Sequence, residues 1–414
     1  MTRGAEVIVI GAGVVGITCA LALQGAGCVV SVLDRKGVAA EASAGNAGAF
    51  AFADVIPLAT PGIMRKAPKW LLDPLGPLSV PPGYAAQIAP WMVRFWRASW
   101  RDRYTSALAA QAALMRLSAE ALDTLIAETG ARALVRDEGQ LQLYEGSRAY
   151  EASLPGWETR AAHGVAFRLL DRSEAIAEIQ PGLSPRFTHA GFTPGWRNVT
   201  DPAQWVAHLA DVFRARGGRI EIAEVRALRQ DGETVVLDCA DGARRADRAV
   251  ICAGAWSHHL ARTLGDGIPL ETERGYNTTL PAGAFDLRTH LTFPDHGFVV
   301  SRIGQGVRVG GAVELGGLKR PPNWRRAGVL LDKARDFLPG LRVEGGTQWM
   351  GFRPSLPDSL PVIGPAPCAD RVTYAFGHGH LGLTQSAGTA ALVAALVAGA
   401  VPRIDLSPYA ATRF

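Results

Sequence analysis

Cysteine is scarce and without pattern. Cys19, Cys28, Cys239, Cys252 and Cys368 are odd in number, scattered, and never spaced as Cys-x-x-Cys, which argues against a disulfide framework and against a zinc site. Long runs of one charge are also missing: 43 basic residues stand against 38 acidic ones, a net charge of +5, so nucleic acid is not the favoured partner. No apolar stretch reaches the roughly 20 residues that span a bilayer. The longest, Ala387 to Val401, is broken by Gly388 and Gly399 and reads as a buried helix. No targeting segment precedes the first fold element, since Val7 to Ile10 lead straight into a glycine motif. The expected location is the cytoplasm, at most against the inner face of the membrane. No internal repeat and no Ser-His-Asp arrangement are visible. His378 and His380 stand two apart without an accompanying carboxylate or cysteine cluster, so no metal is expected.

What remains is ordinary globular composition: 414 residues, 48% of them hydrophobic, enough for two intertwined domains. Glu6 to Ile10 reads as a strand, Val14 to Gln24 as a helix and Cys28 to Leu33 as a second strand, a β-α-β unit. A long excursion with prolines from Pro57 to Pro82 follows. Apolar residues at Leu108, Ala112, Met115, Ala119, Leu122 and Ile126 predict a helix from Tyr104 to Glu128, ended by Gly130. Asp201 caps a helix from Pro202 to Arg216 that Gly217-Gly218 stops. Arg219 to Val225, Thr234 to Cys239 and Arg248 to Cys252 read as strands, and Pro269 to Leu280, Gly297 to Arg302 and Gly306 to Leu315 as an antiparallel sheet. Val372 to Phe376 is a last strand before the closing helix.

The first chemistry lies at Gly11-Ala12-Gly13-Val14-Val15-Gly16, between strand and helix. There the glycines permit a tight turn, close approach of backbone to a pyrophosphate, and close helix-on-strand packing. The helix N-terminus offers N–H groups and a positive dipole end to the phosphates. Asp34 ends the second strand 18 residues beyond Gly16, where a carboxylate accepts bonds from a ribose diol and disfavours a 2′-phosphate. FAD and NAD both remain open on these residues. Val250-Ile251-Cys252-Ala253-Gly254 is a second strand running into small residues, equally readable as a ligand approach or an ordinary turn. The glycines of Gly377-His378-Gly379-His380-Leu381-Gly382-Leu383-Thr384 again precede a helix, whose N-terminus can stabilise negative charge on a flavin's pyrimidine side.

Taken in order, the N-terminal glycine motif, Ser43-Ala44-Gly45-Asn46-Ala47-Gly48, Thr60-Pro61-Gly62, Lys69-Trp70-Leu71, Arg274-Gly275-Tyr276, Gly351-Phe352-Arg353-Pro354 and Gly377-His378-Gly379 resemble the D-amino-acid dehydrogenase branch of the FAD-dependent D-amino-acid oxidase (glycine oxidase-like) family. The resemblance implies an α/β fold: a Rossmann-like, glutathione-reductase-like FAD-binding domain from residues 1–50, 200–262 and 350–414, and an α+β substrate domain with an antiparallel sheet from 51–199 and 263–349. FAD is the implied cofactor. Gly11, Gly13, Val14, Val15, Gly16, Asp34 and Arg35 would hold its first half. Ser43, Asn46, Ala47 and Gly48, then Val225, Ala253 and Gly254, and finally Gly379, Leu381, Gly382, Leu383 and Thr384 would complete the site.

By the same resemblance Arg353 grips the substrate carboxylate, a task that suits a planar guanidinium. Tyr276 either lines the pocket or packs within the sheet. His380 and Leu383 depart from the family's usual threonine and tryptophan, which puts D-alanine in doubt and resembles enzymes of D-proline or hydroxyproline type. The implied reaction is oxidation of a D-amino or cyclic imino acid with hydride transfer from Cα to flavin N5, without a dedicated side-chain base. The electron acceptor would be a quinone or respiratory carrier. Two rivals stand beside this reading: an oxygen-using secondary-amine oxidase of sarcosine or glycine type, and a non-catalytic nucleotide-binding or tRNA-associated flavoprotein. Trp91, Phe95, Trp96 and Trp100, interleaved with arginines, read as a helix packed on the core or as a peripheral membrane contact.

Overall fold

The computed structural model describes residues 4–65, 76 and 78–414; Lys69-Trp70-Leu71 lies outside them. The strand Glu6–Ile10 is buried on both faces. Val7 and Val9 enter one hydrophobic cluster and Ile8 and Ile10 another, as a central parallel strand requires. It leads a six-stranded sheet in the order Arg219–Ile222, Val29–Asp34, Glu6–Ile10, Arg248–Ile251, Ala369–Phe376, Val362–Ala366. All neighbours run parallel except the last pair. The helix Val14–Gly25 and the closing helix Gly382–Ala398 pack on each other over one face. The opposite face carries the residues of a three-stranded antiparallel sheet, Val225–Asp231, Thr234–Cys239 and Gly242–Ala246.

A second, nine-stranded sheet begins with Thr347–Ser355, Glu271–Leu280, Gly306–Leu315 and Phe298–Ile303, and continues through His290–Phe293 to Gln140–Glu145, Phe187–Thr193 and Arg168–Leu170. Leu78–Ser79 pairs beside Gly306–Leu315. The helix Arg325–Phe337 buries Ala327, Leu330, Ala334 and Phe337, three of them in the main cluster under this sheet. Among the described residues no helix is long and apolar enough to cross a membrane.

Several elements match their expected bounds. Asp201 caps Pro202–Ala215 by accepting the N–H groups of Ala203 and Gln204, and Gly130, at φ +65°, ends Arg101–Thr129. Others differ for physical reasons. Arg219 to Val225 is not one strand: after the Ala223 N–H bonds the Asp34 carbonyl at 2.9 Å, the chain turns and Val225 opens an antiparallel pairing opposite Cys239. The boundary expected at 350 falls inside the strand Thr347–Ser355, which is registered with Glu271–Leu280 along its whole length. The Trp91 to Arg101 stretch is split: Ala85–Ala98 is one helix, and Trp100 is extended before the next begins at Arg101. Trp91 is buried, whereas Trp96 and Trp100 are 49% and 47% exposed.

Candidate functional site

The two sheets enclose a cavity of about 690 Å³ that runs from Gly13, Val14, Val15 and Ser43 to Glu273, Arg353 and His380, a size that suits a bound small molecule. At its first end the chain bends sharply. Gly11 has φ +112°, and a Cβ there would lie 2.3 Å from the Cys252 carbonyl oxygen. At Gly16 a Cβ would lie 1.8 Å from the Gly11 carbonyl oxygen. The helix Val14–Gly25 starts at Gly13 without a capping side chain and without an acidic residue in its first turn. Its positive end is therefore uncompensated, apart from the Val14 N–H that donates to Ser43 Oγ at 3.0 Å. The closing helix also starts uncapped and without acid in its first turn, and Gly379, Leu381, Gly382 and Leu383 open onto the same cavity. Two helix N-termini directed at one cavity, with a backbone cradle that side chains would fill, fit a dinucleotide carrying a ring that accepts negative charge.

Asp34 is engaged by the fold. Its Oδ2 accepts the Ala12 N–H at 2.8 Å, and Oδ1 accepts the N–H groups of Lys36 and Gly37 at 2.8 and 2.9 Å. Oδ1 is thereby filled and Oδ2 keeps room for one further donor, while the carboxylate locks the end of the second strand to the glycine turn. Arg35 lies 3.7 Å over the Trp256 ring and pairs with Glu41 at 2.6 Å. Asn46 Oδ1 accepts the Gly48 N–H at 2.7 Å, closing the 43–48 turn. Ala47 lines the cavity with it. Thr384 is buried and staples the helix to residues 49 and 51, donating to Ala49 O at 3.2 Å and accepting from Ala51 N at 3.0 Å. Gly254 lines the cavity, Ala253 precedes it at the strand end, and Val225 packs against the cluster beneath the six-stranded sheet.

The other end of the cavity is walled by one pair of strands. In the register Glu271↔Ser355, Glu273↔Arg353, Gly275↔Gly351, Asn277↔Trp349, the two-residue period puts these side chains on one face. Arg353 is half-buried, and its Nη1 donates to the Ala312 carbonyl at 3.0 Å. The guanidinium occupies the space that a Cβ on Gly275 would take, 2.3 Å from Nη2. Glu273 is buried, and His380 Nε2 lies 2.8 Å from its Oε2. Burial alone would raise the Glu273 pKa, but His380, Arg353 and Ser355 outweigh it and hold it below the usual carboxylate range.

Tyr276 contributes to the cavity wall, but its hydroxyl is spent elsewhere: it donates to Glu314, which Arg274 also pairs at 3.2 Å, and accepts the Asn323 N–H at 3.0 Å. Burial and the Glu314 carboxylate push its pKa up to about 12. Sequence reasoning missed Glu273, Asn277, Arg308 and Trp349. The Asn277 amide donates to Gly45 O at 2.9 Å, and Arg308 Nη1 donates to the Ala44 and Asn46 carbonyls at 3.2 and 2.5 Å. The indole of Trp349 fills the space beside both Gly45 and Gly351. The alternation Glu271, Glu273, Gly275, Asn277 was the available signal, since a period of two assigns all four to the face that carries Gly275.

His290 and His378 are buried close by, and burial lowers both pKa values to about 3. His378 Nε2 is 2.9 Å from Thr389 Oγ1. A histidine released by unfolding titrates near 6.5, so between pH 6.5 and 3 the unfolded chain binds protons that the folded chain refuses. Stability is therefore expected to fall as pH drops through this window. Urea midpoints should decrease from pH 7.5 to pH 5, with a shallower decline in a His290→Asn variant; parallel declines would contradict this origin. Among the described residues no group of three or more His, Cys, Asp or Glu side chains converges as metal ligands would.

Residues 6–396 match the family model described as DAO, FAD dependent oxidoreductase. A D-amino-acid oxidase of Bradyrhizobium diazoefficiens is 35% identical over 422 residues, covering 100% of both chains. A D-amino acid dehydrogenase of Rhizobium johnstonii is 34% identical, covering 99% of this chain and 100% of that one. Among solved structures, glycine oxidase from Geobacillus kaustophilus superposes with a TM-score of 0.79 at 22% identity over 100% of both chains. L-Proline dehydrogenase from P. horikoshii gives 0.73 at 18% identity, covering 100% of this chain and 98% of that one. At these identities the two structures establish the fold.

Proposed function

The chain belongs to the DAO family of FAD-dependent oxidoreductases, and from that premise we propose that it oxidises a D-amino acid or a cyclic imino acid of proline or hydroxyproline type at its Cα–N bond. The carrying observation is Arg353, a half-buried guanidinium on the wall of the cavity, anchored through Nη1 to a backbone carbonyl. A substrate carboxylate docked on that planar fork is fixed in orientation as well as in charge. The curated relatives named as D-amino-acid oxidase and dehydrogenase support the substrate class.

FAD, held at the glycine turn and the two helix N-termini, would supply the acceptor for a hydride taken from Cα. The protein supplies position: Arg353 orients the carboxylate, Gly275 leaves room for the guanidinium, and Asn277 and Arg308 hold the 43–48 turn against the sheet. Proximity and orientation then account for much of the rate. Anaerobic addition of D- and L-amino acids, prolines and sarcosine to the yellow holoprotein tests the reading. Bleaching of the flavin by a D-amino or imino acid supports it, and a flavin left oxidised by the whole panel sinks it. Stoichiometric hydrogen peroxide in air would instead favour the secondary-amine oxidase.

For the dehydrogenase the acceptor is a quinone or respiratory carrier reached at the membrane face. Val93, Trp96 and Trp100 are 60%, 49% and 47% exposed, with Arg94, Arg101 and Arg103 nearby in the chain, a composition that suits an anionic lipid surface. Co-sedimentation with anionic but not neutral vesicles, lost in Trp96→Ala/Trp100→Ala, is the expected outcome.

A further inference from the structure

Resting on the amino-acid reading above, we propose that Glu273 receives the substrate's amino group while Arg353 holds its carboxylate. The two residues are cross-strand partners, which places their Cβ atoms about 5 Å apart on the same face, and both line the cavity. An α-amino acid carries its carboxylate and its nitrogen on one carbon. A guanidinium and a carboxylate set side by side are complementary to both groups at once. Burying an ionised carboxylate is costly unless it is paired. His380 approaches it from the turn before the closing helix, at 2.8 Å from Oε2, and acts as a positioning residue that fixes the carboxylate's orientation. Asp54 and Arg160, 3.8 Å apart, and Arg308 also line the cavity.

The placement has a chemical consequence. The reacting form is the free amine, so the bound ammonium first gives up its proton to solvent; as the C–H electron pair would then pass from Cα as hydride to FAD, the nitrogen lone pair becomes the second C–N bond and the neutral nitrogen becomes cationic. A fixed carboxylate beside that atom favours the charge that develops, and its own reorganisation is minimal. It also discriminates among ligands. A carboxylic acid without nitrogen meets Arg353 but also the repulsion of Glu273, so the clamp selects amino acids over simple acids.

Glu273→Gln separates this role from a structural one. In the FAD-loaded protein, calorimetry with propionate should show binding tightened several-fold, because the anion beside Arg353 is gone. The amino acid that bleaches the wild-type flavin should show its half-saturating concentration raised by roughly tenfold, with slower anaerobic reduction. Should Glu273→Gln fail to fold, Glu273→Asp keeps the charge but retracts it, and is expected to weaken the amino acid while tightening propionate slightly. Both ligands moving together, or neither moving, in the variant that folds overturns the assignment of Glu273 alone. A wild-type flavin that no amino acid reduces overturns the functional reading, and this one with it.

Discussion

Replacing Arg353 with lysine is expected to raise KM for the oxidised amino acid by roughly a hundredfold while the protein stays yellow, within the 2–5 kcal/mol typical of truncating a buried charge pair. The size follows from what lysine cannot reproduce. The guanidinium spends Nη1 on the Ala312 carbonyl and still has donors to offer a carboxylate. It also fills the space left by the missing side chain of Gly275. An ammonium is a point charge without a fork, and it must choose between the carbonyl and the ligand. In the proposed complex Arg353 would contact the carboxylate before and during the reaction alike, so the loss should fall on KM more than on kcat. Steady-state kinetics with flavin content measured in parallel checks this. An unchanged KM in a fully loaded variant would remove Arg353 from the substrate site.

How much of this site was legible in the sequence depended on distance along the chain. Gly11, Gly13, Gly16 and Asp34 lie within one β-α-β unit, so their spacing alone carries a geometry. Arg353 became legible only through the family's Gly-x-Arg-Pro pattern, because nothing local distinguishes it from a surface arginine. Glu273 and His380 stood far apart, and His380 was noticed as half of a discounted metal-ligand pair and as a departure from the family's threonine. Their pairing is a product of tertiary folding: a strand of the nine-stranded sheet meets the turn before a helix on the six-stranded one. Tyr276 illustrates the converse. Its position beside Gly275 was readable, yet which face its hydroxyl served depended on Glu314, a partner on a strand that sequence alone could not register. The break at Val225 had the same origin, since residues rich in strand formers do not reveal when a chain changes sheets.

The largest effect on the whole protein is expected from Gly16→Ala, a change of one methyl group. An ideal Cβ at Gly16 falls 1.8 Å from the Gly11 carbonyl oxygen and 2.9 Å from its carbonyl carbon. Those atoms are backbone, so no rotamer change can relieve the clash. Gly11 cannot retreat: its own Cβ position, at φ +112°, is closed by the Cys252 carbonyl at 2.3 Å, and its N–H is tied to the Leu33 carbonyl at 2.8 Å. The helix Val14–Gly25 must therefore shift away from the strand Glu6–Ile10, which carries the helix N-terminus away from its place over the cavity. That movement opens the cluster containing Ile17, Ala20 and Leu21 at a cost of about 3 kcal/mol or more. It also misplaces the dipole end that would face the phosphates of FAD. The variant should purify with little or no 450-nm absorbance and melt below the FAD-depleted wild type. That second comparison matters, because bound FAD itself stabilises the folded state and its loss alone lowers Tm. A Gly16→Ala protein that retains full flavin content and the wild-type melting temperature would mean that the turn can absorb a methyl group, and the packing argument would fail.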